Sequence, residues 1–140
     1  MKVLFATDGS ITAKKALAFL VTHEGVLGPD GELFVLNVQT PISSRVKHML
    51  GSAEVKAYQL SEAEKVLAPV KKFLDRHPIK YRCAWVVGSS AEEIIRTSKK
   101  QHSHMIIMGT HGYGLLTRAL MGSVAQRVIA DCDIPVLLVK

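Results

Sequence analysis

The chain has 140 residues, of which 48% are hydrophobic and 21% charged, which is typical of a globular protein and not of a disordered one. We expect a single domain over residues 1–140, large enough to be stable without disulfides or a structural metal. No apolar run approaches the roughly 18 residues that span a bilayer, so the sequence excludes a membrane-spanning helix. The N-terminal segment is too short for a signal peptide and too acidic, with Asp8 close to its start, and we expect a cytoplasmic protein.

The formal net charge of +6 leaves three classes of anionic partner open: nucleic acid, a membrane surface or a small molecule. The lysines and arginines are scattered along the chain, and no aromatic residues interleave with them. We therefore interpret most of them as solvated helix faces. The two cysteines, Cys83 and Cys132, form neither a CxxC pair nor a metal-ligand spacing, which favours reduced thiols.

Short apolar runs alternate with longer stretches of helical spacing. In chain order, the pattern predicts a strand at 3–7, a helix at 10–24, a strand at 33–38, a helix at 53–76, a strand at 81–87, a helix at 90–101, a strand at 105–109, a helix at 123–130 and a strand at 135–139. Ser10 is placed as an N-cap, and Pro69 predicts a kink in the second helix. Residues 39–52 form the longest predicted loop, which could act as a flap beside a site.

This alternation is typical of a parallel α/β sheet with helices on both faces. Residues 3–6 and 105–108 are apolar on both faces, as central parallel strands are, whereas residues 80–83 alternate in the manner of an edge strand. With right-handed crossovers, we expect a five-stranded parallel sheet in the order 3-2-1-4-5, which places strands 1 and 4 at the switch point.

The last strand is apolar on both faces, yet this order places it at an edge. An exposed apolar edge tends to pair with another strand. We expect a homodimer joined along residues 134–139, because closed symmetric dimers are the commonest oligomers. The alternative is a neighbouring helix that covers the edge.

The strongest chemical signal follows strand 4, where Gly109, Gly112 and Gly114 precede Gly122 and Ser123 at the start of a helix. Glycines let the backbone approach a ligand closely, and a helix N-terminus offers free N–H groups to phosphate. Open α/β sheets bind ligands outside the carboxyl ends of their strands, and the end of strand 1 lies beside this loop there. The spacing is neither a Walker loop nor the dinucleotide fingerprint, and glycines that merely turn a loop are the simpler alternative.

The spacing Gly109-x2-Gly112-x9-Gly122-Ser123 resembles the nucleotide-binding signature of the universal stress protein family, in its ATP-binding branch. The opening run at residues 6–10 and the closing run at residues 134–139 are similar to the first and last strands of that family. The resemblance covers essentially the whole chain. It implies a Rossmann-like fold of the adenine nucleotide alpha hydrolase type and a stress-response regulator that binds ATP, with Mg²⁺ or Mn²⁺ on the phosphates.

The resemblance also implies which residues surround the nucleotide. Asp8, with Ala6 and Thr7, would contact adenine or ribose, and Val38 would pack or bond against adenine. Phosphate would be bound by backbone N–H groups and a hydroxyl at the start of the last helix. The full set of implied binding residues is Ala6, Thr7, Asp8, Val38, Met108, Gly109, Thr110, His111, Gly112, Gly122, Ser123, Val124 and Ala125. No protein ligands for the metal are identified.

Several of these residues also have a purely structural interpretation. Asp8 would otherwise be a turn former, but Ser10 can cap the helix and leave Asp8 freer for a ligand. The ring of His111 could steady a phosphate, although no carboxylate partner for catalysis is evident. Arg118 could reach phosphate, and an exposed role is the alternative. His102 and His104 form an H-x-H pair that we interpret as a loop feature and not as a metal site.

Three functions remain in competition. The first is a nucleotide-dependent switch or binding module that hydrolyses ATP slowly or not at all. The second is an enzyme, either an ATPase or a nucleotide-dependent transferase, against which the absence of a Walker lysine, an evident general base and an oriented nucleophile argues. The third is a nucleic-acid or anion-binding module, whose binding would weaken steeply with salt.

Overall fold

The computed structural model describes residues 1–112 and 121–140. In this part of the chain, five strands alternate with helices. The strands are β1 (Lys2–Ala6), β2 (Glu32–Gln39), β3 (Lys80–Val87), β4 (Met105–Gly109) and β5 (Val136–Val139). The helices are α1 (Ile11–Thr22), α2 (Ser44–Leu50), α3 (Ser52–Leu74), α4 (Ser90–Lys100) and α5 (Ser123–Asp131). No helix in the described ranges is both long and apolar enough to cross a bilayer.

The strands form one parallel sheet in the order β3-β2-β1-β4-β5, which confirms the predicted topology. β1 lies at the centre, and its side chains alternate between two fully covered faces. Val3 and Phe5 pack under α1 and α3, whereas Leu4 and Ala6 pack under α4 and α5. This two-sided burial explains why the strand is continuously apolar.

The expectation of a loop at residues 39–52 is wrong, because α2 lies within it. The Oγ of Ser43 accepts a hydrogen bond from the Val46 N–H at 3.4 Å, and the helix ends at Gly51, which has φ +84°. None of the seven residues of α2 is buried. The segment therefore lacks the buried apolar stripe on which sequence-based recognition of a helix depends.

The other elements differ from expectation mainly at their ends. Ser10 caps α1 as predicted, accepting from the Ala13 N–H at 3.4 Å. α3 is assigned as one helix that includes Pro69, and the kink there stays a prediction. β5 begins at Val136, although the Pro135 carbonyl still accepts a hydrogen bond from the Ile106 N–H at 2.9 Å.

Candidate nucleotide site

A cavity of about 570 Å³ opens at the carboxyl ends of β1, β2 and β4, beside the start of α5. It lies at the switch point, where β1 separates β2 from β4. The structure brings all thirteen residues named from the sequence to its wall: Ala6, Thr7, Asp8, Val38, Met108, Gly109, Thr110, His111, Gly112, Gly122, Ser123, Val124 and Ala125. Arg118 and the rest of segment 113–120 lie outside the described residues.

One wall of the cavity is apolar. Ala6 and Met108 are buried at the ends of β1 and β4, and Leu36 and Val38 lie on the same face of β2. Ile94 from α4 completes the apolar wall. An apolar wall beside a few polar groups is typical of sites for small organic ligands.

The loop after β4 is attached to the first turn of α1 by side-chain hydroxyls. Ser10 Oγ donates to the His111 carbonyl at 3.1 Å, and Thr12 Oγ1 donates to the same carbonyl at 2.6 Å. Thr12 Oγ1 also accepts the His111 N–H at 3.3 Å. Gly109 fits against this turn because it has no side chain, since a Cβ there would lie 2.7 Å from the Ala13 nitrogen.

Asp8 begins the turn that connects β1 to α1. Its Oδ1 accepts the Ser10 N–H at 2.9 Å, so one carboxylate oxygen already stabilises the turn. The expectation that Ser10 leaves Asp8 free therefore holds only for Oδ2. That oxygen faces Gly112, where an added Cβ would lie 2.8 Å away.

The start of α5 provides backbone N–H groups, but not all of those expected from the sequence. The Gly122 N–H donates to the Thr110 carbonyl at 2.7 Å, so its assignment to phosphate needs correction. Gly122 is the N-cap and supplies no capping side chain. First-turn amides of a helix have no partner within the helix, which leaves Ser123, Val124 and Ala125 as the donors that can face a ligand.

The imidazole of His111 is held from one side. Its Nδ1 lies 2.7 Å from Thr110 Oγ1, and its Nε2 is buried and forms no hydrogen bond with any residue that the structure describes. No acidic side chain bonds to the ring in the described ranges, so the geometry there does not orient it as a general base.

The only carboxylate among the described wall residues is Asp8, and none of those residues is a lysine or arginine. An anion at this site would therefore be stabilised by amide dipoles and the N-terminal end of α5. No group of three or more His, Cys, Asp or Glu side chains in residues 1–112 and 121–140 is arranged to hold a metal ion. The pair His102 and His104 lies at the amino ends of the strands, away from the cavity, where His104 Nδ1 accepts the Lys2 N–H at 2.9 Å.

Sequence reasoning missed some wall residues, namely Ala13, Leu36, Ser90, Ile94, Met121 and Gln126, and treated Ser10 only as a cap. Leu36 could have been found, because residues two apart on a strand share a face with each other and Val38 was already chosen. The part that Thr12 plays depends on residues about a hundred positions away. No local pattern indicates it.

Comparison with known proteins identifies the family. The chain matches the universal stress protein family over residues 1–140. It is 31% identical over 152 residues to Universal stress protein MJ0577 of Methanocaldococcus jannaschii, covering 99% of this chain and 94% of that protein. The solved structure of MJ0577 superposes with a TM-score of 0.83, at 32% identity and over 99% of this chain and 94% of that one.

Two more distant structures share the fold. A universal stress protein from Archaeoglobus fulgidus in complex with dAMP has a TM-score of 0.68 at 20% identity, covering 100% of this chain and 98% of that one. A family protein from Arabidopsis thaliana with AMP bound has a TM-score of 0.72 at 14% identity, covering 100% of this chain and 91% of that one. The match over every residue of the chain, together with a relative above 30% identity, is decisive: the chain belongs to the universal stress protein family.

Proposed function

We propose that the cavity binds an adenine nucleotide. The observation that carries this proposal is the convergence of the β4 glycine loop, the Asp8 turn and the start of α5 on one cavity of about 570 Å³. That volume lies within the range of roughly 300–1,000 Å³ found for small-molecule sites. Family members with dAMP and AMP bound support an adenine nucleotide as the ligand.

The chemistry of the walls suggests how the nucleotide would lie. The adenine ring would pack against the apolar wall of Ala6, Val38 and Met108. The free Oδ2 of Asp8 would accept a hydrogen bond from the ribose or the adenine amine. The phosphates would lie between Gly112 and the first turn of α5, where amide N–H groups favour anions.

The finer proposal is that ATP is the ligand and that its binding acts as a switch on partner or dimer interactions. A divalent cation at this site would be held mainly by the phosphates, because the described walls offer the single carboxylate of Asp8 and no cluster of metal ligands. Asp8 is the residue here that could approach such a cation. Slow hydrolysis is the alternative activity, and the cytoplasmic location stays a prediction.

We extend the proposal to a homodimer formed along β5. β5 is an edge strand paired only with β4 in the described sheet, and all four of its residues are half-buried. Partly exposed Val and Leu residues on an unpaired edge favour association with a second strand.

Binding is tested by isothermal titration calorimetry and thermal melting with AMP, ATP, ATP plus Mg²⁺ and GTP. We expect saturable binding of the adenine nucleotides and a rise in melting temperature that increases with nucleotide concentration. Affinity should change little between low and moderate salt, because no lysine or arginine lies on the described walls. A steep salt dependence with equal binding of all polyanions would favour the anion-binding module instead.

Gly122→Val is the matched variant for the phosphate end. A Cβ at this buried position would lie 3.1 Å from the Thr110 carbonyl oxygen, and the larger side chain would stand at the start of α5. Gly25→Ala is the control, because a Cβ there meets nothing within 4 Å. Normal ATP affinity in Gly122→Val would refute the placement of the phosphates, and the absence of nucleotide binding by the wild-type protein at millimolar concentration would refute the proposal.

A further inference from the structure

The carbonyl of His111, in the glycine loop that follows β4, accepts hydrogen bonds from two side chains. It accepts from Ser10 Oγ at 3.1 Å and from Thr12 Oγ1 at 2.6 Å. The Thr12 hydroxyl also accepts the N–H of the same residue at 3.3 Å, so it contacts both backbone groups of His111. The orientation of this carbonyl relative to α1 is therefore set by two side chains from the opposite end of the sequence.

A fixed carbonyl also fixes the amide that follows it. The His111 C=O and the Gly112 N–H belong to one planar trans peptide unit, in which the two groups point in opposite directions. Because the carbonyl is directed at the first turn of α1, the Gly112 N–H is directed away from it. No described residue accepts a hydrogen bond from this N–H.

The Gly112 nitrogen lies close to the start of α5. It is 3.7 Å from the position that a Cβ on Gly122 would occupy, and Gly112 and Gly122 both line the cavity. The Gly112 N–H and the first-turn amides of α5 are thus neighbours. Neighbouring backbone N–H groups at the start of a helix form binding sites for phosphate oxygens.

We propose that Thr12, assisted by Ser10, is a positioning residue that presents the Gly112 N–H to a nucleotide phosphate. The inference rests on the proposed nucleotide site and adds to it a residue that does not line the cavity. Thr12 acts through the His111 peptide. Because no lysine or arginine is present on the described walls, the direction of each amide has a large share in binding the phosphate.

The test compares Thr12→Val with Thr12→Ser. Valine keeps the shape of threonine but removes the hydroxyl, whereas serine keeps the hydroxyl. Loss of the two hydrogen bonds should weaken AMP and ATP binding about tenfold in Thr12→Val. The affinity of Thr12→Val for adenosine, which has no phosphate, should change by less than about twofold. Thr12→Ser should bind AMP nearly as the wild type does.

Thr22→Val is the matched control on the same helix. Thr22 Oγ1 donates to the Ala18 carbonyl at 2.9 Å at the far end of α1, so this variant loses a hydroxyl without changing the loop. Its affinity for AMP should equal that of the wild type. Ser10 is left unchanged, because its hydroxyl also caps α1 and its removal would combine two effects.

An NMR titration gives a second readout. The Gly112 amide proton should shift downfield when AMP, but not adenosine, is added to the wild-type protein, and this shift should be reduced in Thr12→Val. If Thr12→Val does not fold, Thr12→Ala is measured in the same way, since it also removes the hydroxyl.

The outcomes separate this proposal from the function on which it rests. Failure of the wild-type protein to bind any adenine nucleotide would refute both the nucleotide site and the positioning role of Thr12. If the wild-type protein binds and Thr12→Val loses affinity for AMP and for adenosine equally, the site has loosened in general. That result would overturn the positioning role. Unchanged AMP affinity in Thr12→Val, or in Thr12→Ala where valine does not fold, would overturn it as well.

Discussion

Asp8 and Gly112 are immediate neighbours in the wall of the cavity: a Cβ added to Gly112 would lie 2.8 Å from Oδ2 of Asp8. The other oxygen of Asp8 is bonded to the Ser10 N–H, so the carboxylate cannot turn away without breaking that bond. The free carboxylate oxygen can therefore occupy this position only because residue 112 has no side chain.

Gly112→Ala should reduce nucleotide affinity more than it reduces stability. The methyl group displaces Asp8 Oδ2, and loss of a hydrogen bond to a charged group corresponds to about 1.5–3 kcal/mol, or roughly tenfold or more in Kd. Calorimetry with AMP measures the effect, and Gly25→Ala is the control because its Cβ meets no atom within 4 Å. An AMP affinity equal to that of the control would show that Asp8 does not contact the ligand.

Gly109→Ala should reduce stability even without nucleotide. The new Cβ would overlap the Thr12 side chain and lie 2.7 Å from the Ala13 backbone nitrogen, which belongs to a helix and cannot move aside easily. Overpacking of this kind costs about 1–3 kcal/mol in the free energy of unfolding. Urea denaturation measures it, and a change as small as that of Gly25→Ala would contradict the close contact between β4 and α1.

Tyr81 should contribute stability that disappears at high pH. Its hydroxyl donates to the Asp75 carboxylate, and this hydrogen bond raises the pKa of Tyr81 from 10.0 to about 12. The folded protein holds the phenolic proton more tightly than the unfolded chain, so the contribution is complete below pH 10 and is lost as pH rises towards 12. The urea midpoints of the wild type and Tyr81→Phe should therefore converge over this pH range. A difference between the two midpoints that stays constant with pH would count against the hydrogen bond between Tyr81 and Asp75.

The proposed dimer predicts a native mass twice that of the chain in light scattering. Leu138→Lys places a charge on β5 and should shift the protein towards monomer or make it insoluble. Val87→Lys is the control, because Val87 is 40% exposed on β3 at the opposite edge of the sheet. A wild-type protein with the mass of one chain would exclude the dimer.

Much of this fold could be predicted from the sequence because its strongest signals are local. The runs around Phe5 and Ile107 are apolar on both faces, which indicates central strands before any pairing is known. Their alternation with helices then leaves few right-handed topologies. The location of the site follows in the same way, since Asp8 comes shortly after β1 and Gly109 ends β4, and the carboxyl ends of parallel strands lie on the same side of a sheet.

The segment of α2 shows where local reasoning failed. Its residues Val46, Met49 and Leu50 are exposed, so this helix has no buried face to reveal it. Its end at Gly51 depends on a positive φ value, which is clear only from the backbone itself.

The sequence by itself therefore determined the order of the strands and of every helix except α2, and it located the site at the carboxyl ends of the strands, while the family resemblance implied most residues of its wall. Only the tertiary structure decided which groups there are free to bind: the Gly122 N–H is already used by Thr110, one oxygen of Asp8 is used by Ser10, and the His111 peptide is oriented by Thr12. The reason is physical. A strand's burial is encoded in its own alternating side chains, whereas the direction of one amide depends on contacts between residues that are far apart along the chain.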